Sequence, residues 1–120
     1  MPHTKHECQF CLVECMDFRI QETVDRLAKS LGLKNGNFDR ISIPGGAGSL
    51  GQLIEDLHLS HKLHNACNMI LTVHEDCGAG KTRADLEQAI RDARQIFPDC
   101  RIDGYFIYLD GQWDEVEPKK

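Results

Sequence analysis

The feature that most constrains this chain is the alternation of short, continuously apolar runs with segments of helical periodicity. Gln9-Phe10-Cys11-Leu12-Val13 and Asn68-Met69-Ile70-Leu71-Thr72-Val73 are apolar without a polar face, as strands buried on both sides of a sheet require. The first run ends at Glu14-Cys15-Met16-Asp17, and the second continues straight into His74-Glu75-Asp76-Cys77-Gly78-Ala79-Gly80. Between them Ile20, Val24, Leu27, Ala28 and Leu31 recur at steps of three and four, and Gly32 stands where a helix C-terminus takes a left-handed residue. Asp39 to Ile43 is a weaker second strand, stopped by Pro44 and the stretch Gly45-Gly46-Ala47-Gly48, after which a helix runs from about Ser49 into the sixties. Leu86, Ala89, Ile90, Ala93 and Ile96 or Phe97 mark a third helix, ended by Pro98. Tyr105 to Leu109 is a fourth strand, and Asp110-Gly111 turns the chain into a short antiparallel partner around Gln112-Trp113.

Strands alternating with helices in this way predict an α/β fold: a mainly parallel four-stranded sheet with flanking helices, right-handed crossovers and a short antiparallel edge strand. With 120 residues the expectation is a single domain spanning 1–120, able to bury one core and hold one site. Fourteen basic against nineteen acidic residues give a net charge of −5, which argues against nucleic acid or an anionic membrane surface as the partner. No apolar run approaches the roughly 18 residues of a membrane span, and Met1 to Glu7 is too polar for a signal peptide, so the expected compartment is the cytoplasm. There, six cysteines are better read as including metal ligands than as a disulfide framework.

Ligands of parallel sheets gather beyond the carboxyl ends of the strands, here the loops Cys15 to Arg19, Pro44 to Gly48 and His74 to Lys81. Three motifs compete for them. Gly46-Ala47-Gly48-Ser49-Leu50-Gly51 matches G-x-G-x-x-G, but it follows the second strand and lacks the acidic residue that a dinucleotide's ribose requires, so a glycine-rich turn is the simpler reading. Gly80-Lys81-Thr82 resembles the end of a phosphate loop, yet Glu75 occupies the position of the needed glycine and Asp76 follows it, which leaves a nucleotide binder as a remote alternative. Cys15-x-Asp17-x-Arg19 and His74-x-x-Cys77 together offer two thiolates and one imidazole, a set suited to tetrahedral zinc with a fourth position open. A Cys15–Cys77 disulfide is the less favoured use of the same thiols.

At these residues the chain resembles the β-class carbonic anhydrases, whose signature is C-x-D-x-R after the first strand and H-x-x-C-G after the third. Cys15-Met16-Asp17-Phe18-Arg19 and His74-Glu75-Asp76-Cys77-Gly78 fit it, as do the 59-residue separation of Cys15 from His74 and the small-residue loop between them. The resemblance implies Zn2+ held by Cys15, His74 and Cys77, and hydration of carbon dioxide to bicarbonate by a zinc-bound hydroxide. It implies that Asp17 and Arg19 form a catalytic dyad in which the arginine keeps the aspartate off the metal. Gly45, Gly46, Ala47, Gly48 and Gly78 are candidates for the substrate loops, and the assembly is expected to be a homodimer or a larger homo-oligomer. A non-catalytic zinc-binding protein of the same fold, or a hydrolase of carbon disulfide or carbonyl sulfide, is the alternative.

The remaining chemistry-bearing residues have plainer readings. Cys8 and Cys11, with His3 and His6, have the spacing of a second metal site, but Cys8 is about 20 Å along the strand from Cys15, too far to share its site. Cys11 reads as a small core residue, so a second zinc is not expected. Cys67 and Cys100 read as ordinary buried thiols. His58, His61 and His64 step by three along the second helix, either as proton carriers or, preferably, as a solvated or subunit-facing surface. Glu75 and Asp76 are either auxiliary groups of the site or exposed loop carboxylates.

Overall fold

Phe10 to Cys15 forms strand β1, and every one of its six residues is buried, because it lies inside a sheet with helices on both faces. The computed structural model describes residues 6–119. After β1 come α1 (Gln21–Ser30), β2 (Phe38–Ile43), a 3-10 turn (Gly46–Ser49) leading into α2 (Leu50–His64), β3 (Asn68–His74), α3 (Arg83–Ile96), β4 (Arg101–Ile107) and β5 (Trp113–Val116). The strand order is β2-β1-β3-β4-β5. The first four strands run parallel and β5 pairs antiparallel with β4, so the predicted α/β architecture is the observed one.

Two apolar clusters flank the sheet. On one side Val24, Leu27 and Ala28 of α1 join Phe10, Leu12, Ile70 and Ile107. On the other, Leu53 and Leu57 of α2 and Leu86, Ala89, Ile90 and Ala93 of α3 cover Cys11, Val13, Met69, Leu71 and Val73. Helix α3 starts with a capping box, Thr82 and Asp85 each binding the other's backbone N–H, so Thr82 serves to start a helix. Helix α1 ends as the periodicity predicts, with Gly32 at φ +88°.

Two sequence expectations need correction. Strand β4 begins at Arg101 instead of Tyr105: Arg101 and Asp103 pair in register with Asn68 and Ile70, and their charges hide the strand from an apolar-run reading. Cys67 and Cys100 are not separate buried thiols but a disulfide, with Cα atoms 4.6 Å apart. The reason is the same register, since Asn68 pairs with Arg101 and the residues just before each partner are thereby brought face to face. Among the described residues no helix is long and apolar enough to cross a membrane.

Candidate metal centre

The parallel sheet puts the ends of β1 and β3 side by side, and with them Cys15 and His74. Cys77 follows three residues after His74, beyond Asp76, whose left-handed backbone (φ +54°) turns the loop. The two sulfurs and one ring nitrogen of Cys15, His74 and Cys77 all lie within 4.8 Å of one another. Both Cys15 and His74 are buried, and Cys77 is half-buried.

The histidine is prepared for a ligand. Its Nδ1 lies 2.7 Å from the Glu75 carbonyl, which can only accept, so Nδ1 carries the proton and Nε2 presents a lone pair. Nε2 is buried without a hydrogen-bond partner among the described groups, a costly arrangement unless a cation takes the lone pair. Two sulfurs and an imidazole nitrogen are the donors that suit zinc, so these residues fit that ion. The Gly45 N–H donates to Cys15 Sγ at 3.3 Å, which fixes the direction of the sulfur.

Gly46 allows this close approach. Its φ is +53°, and a Cβ there would stand 2.6 Å from the Thr72 carbonyl oxygen and 2.8 Å from the Cys15 nitrogen. Of the other small residues singled out in the sequence, Ala47 is wholly buried, Gly48 packs against the Lys81 side chain, and Gly78 faces open space.

Beside the donors lies an arginine–aspartate fork. Arg19 Nε donates to Asp17 Oδ1 at 3.0 Å and Nη2 to Oδ2 at 2.8 Å. The fork and the Arg19 backbone N–H hold the Asp17 carboxyl down to about 2, and Asp17 in turn raises Arg19. Asp17 Oδ2 is 3.7 Å from His74 Nε2, so the carboxylate borders the donor set while turned towards the guanidinium.

Two of the loop carboxylates left open by the sequence have definite partners. Asp76 accepts from Arg19 through both its carboxylate and its carbonyl, tying the loop after β3 to the loop after β1. Glu75 Oε1 accepts from the Leu109 N–H at 2.7 Å and so pins the β4–β5 connection. The helix histidines lie elsewhere: α2 starts beside the glycine loop and ends where the His64 carbonyl accepts from the Cys8 N–H, at the opposite end of β1. His58 and His61 pack on Phe97, and His64 binds Asp39.

Residues 5–117 match the family model described as "Putative carbonic anhydrase". The chain belongs to this family. An uncharacterized protein of Rickettsia conorii is 30% identical, the match covering 94% of this chain and 74% of that protein. Among solved structures, a carbonic anhydrase from Glaciozyma antarctica superposes with a TM-score of 0.73 at 17% identity, over 94% of this chain and 84% of that one. The apo form of a carbon disulfide hydrolase gives 0.69 at 15%, covering 96% and 80%. A β-carbonic anhydrase from Trichomonas vaginalis gives 0.61 at 18%, covering 100% and 88%. Membership and fold therefore agree with the resemblance carried by the two cysteine motifs, and the fold is that of the β-class carbonic anhydrases.

Proposed function

We propose that this family member catalyses the zinc-dependent, reversible hydration of carbon dioxide to bicarbonate, with Cys15, His74 and Cys77 as the zinc ligands and Asp17 and Arg19 as the catalytic pair. The observation that carries the reading is the buried, unpartnered His74 Nε2, which faces two cysteine sulfurs and borders an arginine-clamped carboxylate. Zinc bound there supplies a Lewis acid that lowers the pKa of water towards roughly 7.

The chain's own groups supply orientation. Both Asp17 oxygens already accept from Arg19, and their remaining lone pairs can accept a hydrogen from water in the site. A water held by that hydrogen bond turns its own lone pair away from the carboxylate and towards entering carbon dioxide. Arg19 keeps Asp17 ionised and prevents it from turning towards the cation, while Asp76 keeps Arg19 in place. Met16 and Phe18 alternate with these polar residues and are 60% and 87% exposed, an apolar pair at the mouth of the site that suits a subunit contact. We place a homodimer or larger homo-oligomer on that contact.

The test is stopped-flow carbon dioxide hydration by zinc-loaded protein. Rates above background that vanish in Cys77→Ser support the reading. A zinc-loaded protein with no hydration even at alkaline pH would reduce it to a zinc-binding domain of this fold. The likeness to a carbon disulfide hydrolase favours a second substrate to be run in parallel, and turnover of carbon disulfide alone would reassign the substrate.

A further inference from the structure

At the opposite end of β1 three more metal-ligating side chains converge, each from a different element. Cys8 lies just before β1, Asp39 in β2 and His64 at the last turn of α2. One donor atom from each falls within 4.8 Å of the others. We propose that Cys8, Asp39 and His64 form a second site for a divalent cation of the zinc type.

The three are held together by more than chance proximity. The Cys8 N–H donates to the His64 carbonyl at 2.9 Å, and the Gln9 N–H to the Asn37 carbonyl at 2.9 Å, so the segment before β1 is fastened to both the helix end and the β2 approach. Asp39 Oδ2 accepts from Ser60 Oγ at 2.6 Å and lies 2.7 Å from His64 Nδ1, so the carboxylate is anchored by the helix and already meets the ring. In tetrahedral zinc sites such donors stand about 3.3–3.6 Å apart, so the wider gaps in this set must close by about 1 Å. The Asp39–His64 contact meanwhile opens from 2.7 Å, its hydrogen giving way to the cation and the ring proton moving to Nε2. The cleft they border is about 180 Å³ and is also lined by His6, whose ring centroid is 5.0 Å from that of His64, placing a further imidazole beside the three.

Donor chemistry selects the class of ion. One sulfur, one nitrogen and one oxygen make a borderline set that favours zinc or cobalt over magnesium or calcium, which prefer all-oxygen surroundings. Burial and the neighbouring Asp39 raise the Cys8 thiol, so without a cation it keeps its proton. Binding exchanges that proton for the metal: the S–H bond breaks, a sulfur–metal bond forms and one proton goes to solvent. Cys11, the other half of the C-x-x-C spacing, is wholly buried in the core and takes no part. His3 lies outside the described residues.

The site is about 20 Å along β1 from Cys15, so its occupancy is independent of the proposed active site. The test is a Co2+ titration of the full-length protein carrying Cys15→Ser and Cys77→Ser, read by the near-ultraviolet sulfur-to-cobalt charge-transfer band. The expected result is about one equivalent bound with a thiolate band. That band should disappear in Cys8→Ser and in His64→Ala but persist when Cys67 and Cys100 are both replaced by serine. Absence of the band, or a band that survives Cys8→Ser, overturns the proposal, and a band lost only when Cys67 and Cys100 are both serine would place the metal beside His61, on thiols freed from that disulfide, instead. Should circular dichroism show that the double-serine protein does not fold, the same titration is run on the otherwise native chain. Cys8→Ser must then lower the stoichiometry by about one equivalent, and an unchanged stoichiometry is a refutation.

Discussion

Arg19 Nη1 stands 3.1 Å from the Asp76 carboxylate and Nη2 stands 3.0 Å from the Asp76 carbonyl, a contact between residues 57 apart in sequence. It makes the guanidinium a brace between the loops that follow β1 and β3, beside the three zinc-ligand candidates, Cys15 and His74 at the strand ends and Cys77 in the second loop. The left-handed turn at Asp76 presents carboxylate and carbonyl to the same arginine.

Asp76→Ala removes the carboxylate half of this brace and leaves the carbonyl half. Asp76 is largely exposed, and an exposed ion pair is worth about 1 kcal/mol or less, so the expected fall in kcat/KM is about fivefold or smaller. Zinc content should not change. A loss as large as that of Arg19→Ala would mean that Asp76 acts directly on the reaction.

Burial pushes the Cys11 thiol up to about 12. An acid whose folded pKa is raised loses its proton first in the unfolded chain, so above the ordinary thiol range unfolding becomes more favourable as pH rises. Denaturant midpoints should therefore fall between about pH 9 and pH 12, with Cys11 contributing up to about 1.4 kcal/mol per pH unit. Cys11→Ala should flatten that slope. In the folded protein at mild pH a thiol reagent should modify Cys8 and Cys77 before Cys11, which is wholly buried.

What was legible in the sequence was what short-range periodicity and spacing encode. Phe10 to Val13 and Asn68 to Val73 declare buried strands by having no polar face, and Ile20 to Leu31 declares a helix by its steps, so the sheet and the placement of Cys15 and His74 at its carboxyl edge followed. Long-range pairing was not encoded that way. The disulfide of Cys67 with Cys100 depends on the register of β3 against β4, and the Arg19–Asp76 brace depends on a left-handed backbone at a non-glycine residue. Glu14 is a similar case: it is 2% exposed inside β1 because Arg40 of β2 forks onto both its oxygens, a partner that no local pattern reveals. Cys8 was visible as a possible ligand, but its spatial neighbours Asp39 and His64 come from distant segments.

Gly46→Ala and Gly51→Ala should have opposite effects. At Gly46 the added methyl meets backbone on two sides at a positive φ, so nothing flexible can yield, and a loss of about 2–4 kcal/mol is expected, with weakened zinc retention through the displaced Cys15. At Gly51, in the first turn of α2, a Cβ meets nothing within 4 Å, and alanine should stabilise by about 0.5–1 kcal/mol. Urea unfolding and metal analysis of both variants check this.

Asp17→Asn and Arg19→Ala should both keep zinc and both lose carbon dioxide hydration, but with different pH profiles. Asparagine retains the shape of the side chain and loses its charge, and it must point an amide N–H or its carbonyl at a guanidinium that can only donate. It can no longer accept a hydrogen from water as a carboxylate does, and a loss of about 10²–10⁴ in kcat, the usual span for a proton-handling group, is expected at every pH. Alanine at 19 leaves the carboxylate ionised but unrestrained, with Oδ2 already 3.7 Å from His74 Nε2, so Asp17 can turn towards the cation and compete there with water. Hydroxide competes better than neutral water, and the Arg19→Ala defect should therefore shrink as pH rises while the Asp17→Asn defect does not. Crystals of Arg19→Ala with zinc should show an Asp17 oxygen about 2.0–2.2 Å from the ion. Wild-type rates in Asp17→Asn, or parallel pH profiles for the two variants, would remove Asp17 from the chemistry and leave the Arg19 fork as a purely structural tie.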